Sequence, residues 1–125
     1  MFSRGVPSAS AHRAVEILEQ TLGVAQSALC PGVPLDSVAS AMADAPAPVA
    51  SQGGNAPYGH GVGMDNFEPR LVSVESDLMA EPGMVIAIHP SLVLDERSFY
   101  LGDTYAIEES GAYRLSEYPL ELSVV

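Results

Sequence analysis

The stretch EPGMVIAIHPSLVL, from Glu81 to Leu94, decides the fold. From Met84 onward it is apolar and rich in β-branched residues, interrupted once by Pro90. Such residues fit a pleated and buried surface. It reads as β-structure. Downstream, SFYLGDTYAIE (Ser98 to Glu108) alternates as a single half-buried strand does. Glu109-Ser110-Gly111 then turns the chain into YRLSEYP, a further short strand or strand edge.

Upstream the period changes. Val15, Leu18, Leu22, Ala25 and Leu29 recur at steps of three and four, which places them on one helical face. Ser8 or Ser10 offers an N-cap for a helix beginning near Ala11, and Pro31-Gly32 stops it. Asp36 or Ser37 caps a shorter helix running to about Met42. ADAPAPVASQGGNAP follows, and its prolines and glycine pair break any regular element. The expected organisation is one domain over 1–125, helical over 8–43, a loop over 44–58 and β-rich over 59–122. Helices first and strands second make the fold class α+β.

Composition narrows the function. The chain has 125 residues, of which 47% are hydrophobic and 17% charged, too apolar for a disordered tail. So low a charge fraction points to a surface covered by another subunit or further polypeptide. Its basic residues are all arginine, and the formal net charge is −11. Nucleic acid and anionic membranes would be repelled, so neither is an expected partner. Cys30 is the one cysteine, which excludes an intrachain disulfide and a cysteine metal site. With no apolar stretch suited to a signal peptide or a membrane span, the expected location is cytoplasmic.

GHGVGMDNFEP, from Gly59 to Pro69, sets His60 between glycines that let a backbone approach closely. A histidine hydrogen-bonded within a tight glycine turn is the other reading of those residues. GHGVGMDNFEP resembles the glycine–histidine–glycine segment of the creatinase, Xaa-Pro aminopeptidase and methionine aminopeptidase ("pita-bread") superfamily. EPGMVIAIHP (Glu81 to Pro90), LGDTYAIEESGAYRLS (Leu101 to Ser116) and the helix exit LCPGVPLDSV (Leu29 to Val38) resemble further segments of that superfamily, in the same order. RLSEYPLEL (Arg114 to Leu122) looks nearest to its creatinase and Xaa-Pro aminopeptidase branch.

The resemblance implies part of a pita-bread fold: an antiparallel, curved sheet with the N-terminal helices packed on one face. It also implies a pair of metal ions held by two aspartates, a histidine and two glutamates, which activate water and polarise a carbonyl. The two aspartates are implied to lie on strands ahead of residue 1, and neither Asp36 nor Asp44 sits where it could replace them. His60 matches the ligand histidine. Phe67 stands at the family's second histidine, which contacts substrate, and Glu68 follows it unchanged. His89 stands at the first glutamate ligand and Gly102 at the last. No metal and no other cofactor is therefore expected.

The expected function is a truncated or degenerate Xaa-Pro aminopeptidase or creatinase-like protein without dinuclear-metal peptidase activity of its own. The alternatives are a metal-independent creatinase-like hydrolase of C–N bonds, or residual Xaa-Pro peptidase activity within a longer chain. The candidate catalytic residues are His60 and His89, since imidazole suits proton transfer near neutral pH. Phe67 and Glu68 are the candidate substrate contacts. Part of such a sheet leaves open edges and an unmatched face, so a second copy of the chain is an expected partner, beside a small-molecule or peptide substrate. No G-x-S-x-G elbow, P-loop or dinucleotide motif is present, and Cys30 reads as a small buried hydrophobe.

Overall fold

The computed structural model of the chain describes residues 1–3, 5–45, 58–65 and 68–124. Most of the expected loop, and Phe67, lie outside the described residues.

Helix α1 spans Ala9–Ala28, with the Ser8 hydroxyl accepting the Ala11 N–H at its start. The apolar stripe expected from the spacing is the buried one: Val15, Leu18, Leu22, Ala25 and Leu29 are all at most 5% exposed. Ala14, Ile17 and Thr21 widen the buried face, and the Thr21 hydroxyl donates to the Ile17 carbonyl, so no polar atom there is left unsatisfied.

Helix α2 spans Leu35–Ala43, two or three residues earlier than an Asp36 or Ser37 cap would allow. Its N-cap is Pro34, which has no side-chain acceptor. The anchor is tertiary instead. The Leu35 N–H donates to Leu78 O, while along the same seam the Gly32 N–H donates to Ala80 O and the Ala80 N–H to Val33 O. Asp36 falls in the first turn, where the helix dipole favours a carboxylate.

The strands are β1 (Phe2–Ser3), β2 (Gly59–Gly61), β3 (Glu68–Val72), β4 (Val85–Ile88), β5 (Ser91–Leu94), β6 (Arg97–Tyr100), β7 (Asp103–Glu108), β8 (Gly111–Arg114) and β9 (Ser123–Val124). Five of them form an antiparallel sheet in the order β3-β2-β4-β7-β8. β1 and β9 pair in parallel and tie the two ends together, with the Met1 ammonium donating to Glu121 O.

The single strand expected over 98–108 is two. β6 folds back on β5 as a separate hairpin, and β7 then enters the main sheet. Asp95 and Glu96 make the hairpin turn, with φ of 51° and 60°. Two successive positive φ values match the right-handed twist of paired strands, but such turns are ordinarily announced by glycine or asparagine. Without that signal the alternation reads straight through.

Register decides which face carries what. In β4, Ile86 and Ile88 are buried while Val85 and Ala87 are half-buried. In β7, Tyr105 and Ile107 are buried while Thr104 and Ala106 are half-buried. The buried set joins Leu18, Leu22, Leu35, Val38 and Met42 of the helices in one continuous core. Both helices therefore pack on one face of the antiparallel sheet, and the other face is left half open.

Candidate functional site

The open face is where the histidines meet. His60 on β2 lies opposite Ala87 on β4, and Ala87 lies opposite Thr104 on β7. His89, two residues beyond Ala87, points the same way by strand alternation. The two imidazoles are 5.1 Å apart between centroids and tilted by 52°. The His89 ring stacks on Tyr100, 5.8 Å away. Strands four and two are held together just here by the His89 N–H donating to Tyr58 O at 2.8 Å.

A cavity of about 420 Å³ opens at this pair, lined also by Tyr100, Gly102, Asp103 and Thr104. Asp103 binds the Arg114 guanidinium at 3.0 Å and accepts the Thr104 N–H at 2.8 Å. Arg114 in turn donates to the Ser116 and Tyr118 carbonyls, which fastens the segment after β8. The one acidic residue in the lining thus already holds a cation.

Burial lowers the His89 pKa below its usual value, and the neighbouring His60 pushes the same way against a backbone hydrogen bond. Burial thus favours the neutral ring of His89. The His60 Nδ1 lies 2.9 Å from Gly61 O. A carbonyl only accepts, so in the neutral ring Nδ1 carries the proton and Nε2 the lone pair.

The glycines here answer to strand packing. A Cβ on Gly59 would stand 2.3 Å from Ala87 O, closer than any real contact. The close approach that requires glycine is therefore made by the neighbouring strand. At Gly102 a Cβ would meet His89 Cβ at 2.9 Å and Ile88 O at 3.1 Å. The residue that stands at one expected carboxylate position fills the space beside the other.

Glu68 serves a turn. Its Oε1 accepts the Asp65 N–H at 3.1 Å and lies under Gly63, and it does not line the histidine cavity. Tyr100 was not singled out by sequence, because only the fold-back of β6 brings it to His89. A second hollow of about 500 Å³ lies between Pro82, Met84, Ala106 and Tyr113, with Glu108 and Glu109, and contains no histidine. Among the described residues, no three His, Cys, Asp or Glu side chains converge as a metal cluster would require.

Compared with known proteins, residues 1–116 match metallopeptidase family M24. An uncharacterised peptidase of Bacillus subtilis (strain 168), YqhT, is 34% identical over 68 residues, which is 54% of this chain and 19% of that protein. The crystal structure of dipeptidase PepE from Mycobacterium ulcerans superposes with a TM-score of 0.83 and 28% identity, over 99% of this chain and 34% of that one. Prolidase from Pyrococcus furiosus gives a TM-score of 0.78 and 26% identity, over 92% of this chain and 35% of that one. This chain thus spans about a third of those structures and about a fifth of the curated relative. The α+β architecture expected from the resemblance, part of a pita-bread fold, is the one observed.

Proposed function

The chain belongs to metallopeptidase family M24, and we propose that it serves as a histidine-lined binding segment of that fold without dinuclear-metal peptidase activity of its own. One observation carries this reading. His89 and Gly102 stand at the two positions where the resemblance assigns carboxylates, and a side chain at 102 would collide with His89 and the Ile88 carbonyl. Neutral imidazole and glycine cannot bridge and neutralise two divalent cations as carboxylates do.

In this reading the cavity between His60, His89 and Tyr100 receives a small molecule or peptide, with Phe67 and Glu68 as substrate contacts. A second copy of the chain, or the polypeptide that makes up the rest of its longer relatives, would cover the half-open face. The test is hydrolysis of Xaa-Pro dipeptides by the purified chain in Mn²⁺ or Co²⁺. No turnover above background is expected. Metal-dependent turnover that disappears in His60→Ala would overturn the reading.

A second reading is metal-independent hydrolysis of a C–N bond. It is favoured by the paired rings, where His89, its pKa lowered by burial, stands beside His60, since imidazole suits proton transfer. Here His60 would be the general base or acid, with His89 assisting. Loss of turnover in His60→Ala at an unchanged unfolding midpoint would distinguish it.

A further inference from the structure

We infer that the hollow between Pro82, Tyr113 and the Glu108–Glu109 pair binds a small organic cation, an ammonium group carried on an apolar body. It shares no lining residue with the histidine cavity and does not depend on the function proposed there.

Two turns meet at the end of the sheet away from the histidines. Pro82 and Gly83 turn the chain toward β4, and Glu109 and Ser110 turn it from β7 into β8. The Gly83 N–H donates to Ile107 O at 2.8 Å and the Ile107 N–H to Met84 O at 2.9 Å, so the turns are fixed against each other. Tyr113 lies opposite Ala106 in the β7–β8 ladder. Ala106 and Glu108 share one face of β7 by strand alternation. The hollow among these groups measures about 500 Å³, within the range of small-molecule sites.

The lining is mostly apolar. Pro82, Met84, Ala106 and Ile107 contribute to it, and Tyr113 stands beside them 44% exposed. An aromatic side chain next to aliphatic ones offers a surface on which a flat body can stack, and its π face attracts a cation as well. Since about 150 Å³ of apolar space suffices for a benzene ring, there is room here for one ring and a short charged arm.

Charge decides what that arm carries. Glu108 and Glu109 belong to the same lining, and among the described residues neither has an ion-pair partner. No arginine or histidine lines the hollow. The contrast with Asp103 is direct, because Arg114 already holds that carboxylate. A cation entering here meets two uncompensated carboxylates, on a chain whose net charge of −11 draws cations and repels anions. A neutral or anionic ligand of the same shape lacks that attraction.

The test is titration of the whole chain with 2-phenylethylammonium chloride, followed through the backbone amide resonances. Saturating shifts are expected at Gly83, Met84, Glu108 and Tyr113, with a dissociation constant of about 1 mM for a ligand of this size. In the unaltered chain, 2-phenylethanol, which keeps the ring and lacks the charge, should bind about fivefold more weakly, and 3-phenylpropionate more weakly still. Glu108→Gln combined with Glu109→Gln should cost the ammonium about fivefold and leave the alcohol unchanged. Glu16→Gln combined with Glu19→Gln removes the same charge from exposed positions on α1, across the sheet, and should change neither. Tyr113→Ala should weaken both ligands about threefold or more. Absence of saturable shifts, equal binding of ammonium and alcohol, an equal loss from the α1 pair, or shifts centred on His60 and His89 would overturn the inference.

Discussion

The two faces of the five-stranded sheet are built from alternate residues of the same strands, yet they answer to different physics. On one face Ile86, Ile88, Tyr105 and Ile107 are at most 1% exposed and merge with the helical core. On the other, His60, Ala87, His89 and Thr104 are half-buried around a cavity. The first face is satisfied by burying apolar area, which any well-packed residue set could provide. The second gathers polar and titratable groups at fixed spacing and stays partly open. Stability should therefore reside on the first face and chemistry on the second.

The strongest way to break that division is to delete buried volume. Ile88→Ala removes a fully buried side chain from the centre of the core. The expected loss is about 2–5 kcal/mol, read as a shift in the urea unfolding midpoint. Since Ile88 neighbours His89 in sequence, the contrast with alanine at position 89 is direct. Equal losses at 88 and 89 would show that the open face is as much a part of the folding core.

Alkaline titration tests the same face through a different force. The Tyr105 hydroxyl is pushed up to about 12, mainly by burial and secondarily by the Asp103 carboxylate, with Arg114 acting in the opposite sense. Its folded pKa lies above the unfolded value near 10. The folded state thus keeps its proton where the unfolded chain loses it. This contribution is fully present below about pH 10 and is lost as pH rises toward 12, by roughly 2–3 kcal/mol for a shift of that size. In Tyr105→Phe the loss over that window should flatten. A slope unchanged by the substitution would place the alkaline transition elsewhere.

Between the faces stands Gly59, whose hydrogen faces the Ala87 carbonyl. Gly59→Ala would force β2 away from β4 and should destabilise by about 1–3 kcal/mol, as overpacking does. Because His60 is the next residue, the same shift should spread the histidine pair, read as a change in the ring proton shifts of His60 and His89. A stable variant with unaltered ring shifts would show that strand spacing does not set the pair.

The division also explains what could be read beforehand. The stripe from Val15 to Leu29 and the run from Val85 to Ile88 were legible because burial imposes a period on sequence. His60 and His89 were legible as candidates through the segments around them. Their partners were not. Tyr100 reaches His89 only because Asp95 and Glu96 adopt left-handed conformations that neither residue announces. Asp103 and Arg114 meet only once the β7–β8 register sets Arg114 opposite Tyr105. The start of α2 was misread for a similar reason, since its anchor is Leu78 O and not a capping side chain.

The smallest effect on stability should come from the proposed catalytic residue on the open face. His60 is half-buried on the open face, and its Nδ1–H donates to the adjacent Gly61 carbonyl. Removing its ring takes away a local bond and leaves the core untouched, so His60→Ala should change stability by less than about 1 kcal/mol. The unfolding midpoint of that variant should thus stay close to that of the parent chain, while any hydrolysis found is lost. A large drop in stability with no function to lose would assign His60 to the glycine turn itself. The two faces would then differ in degree of burial alone.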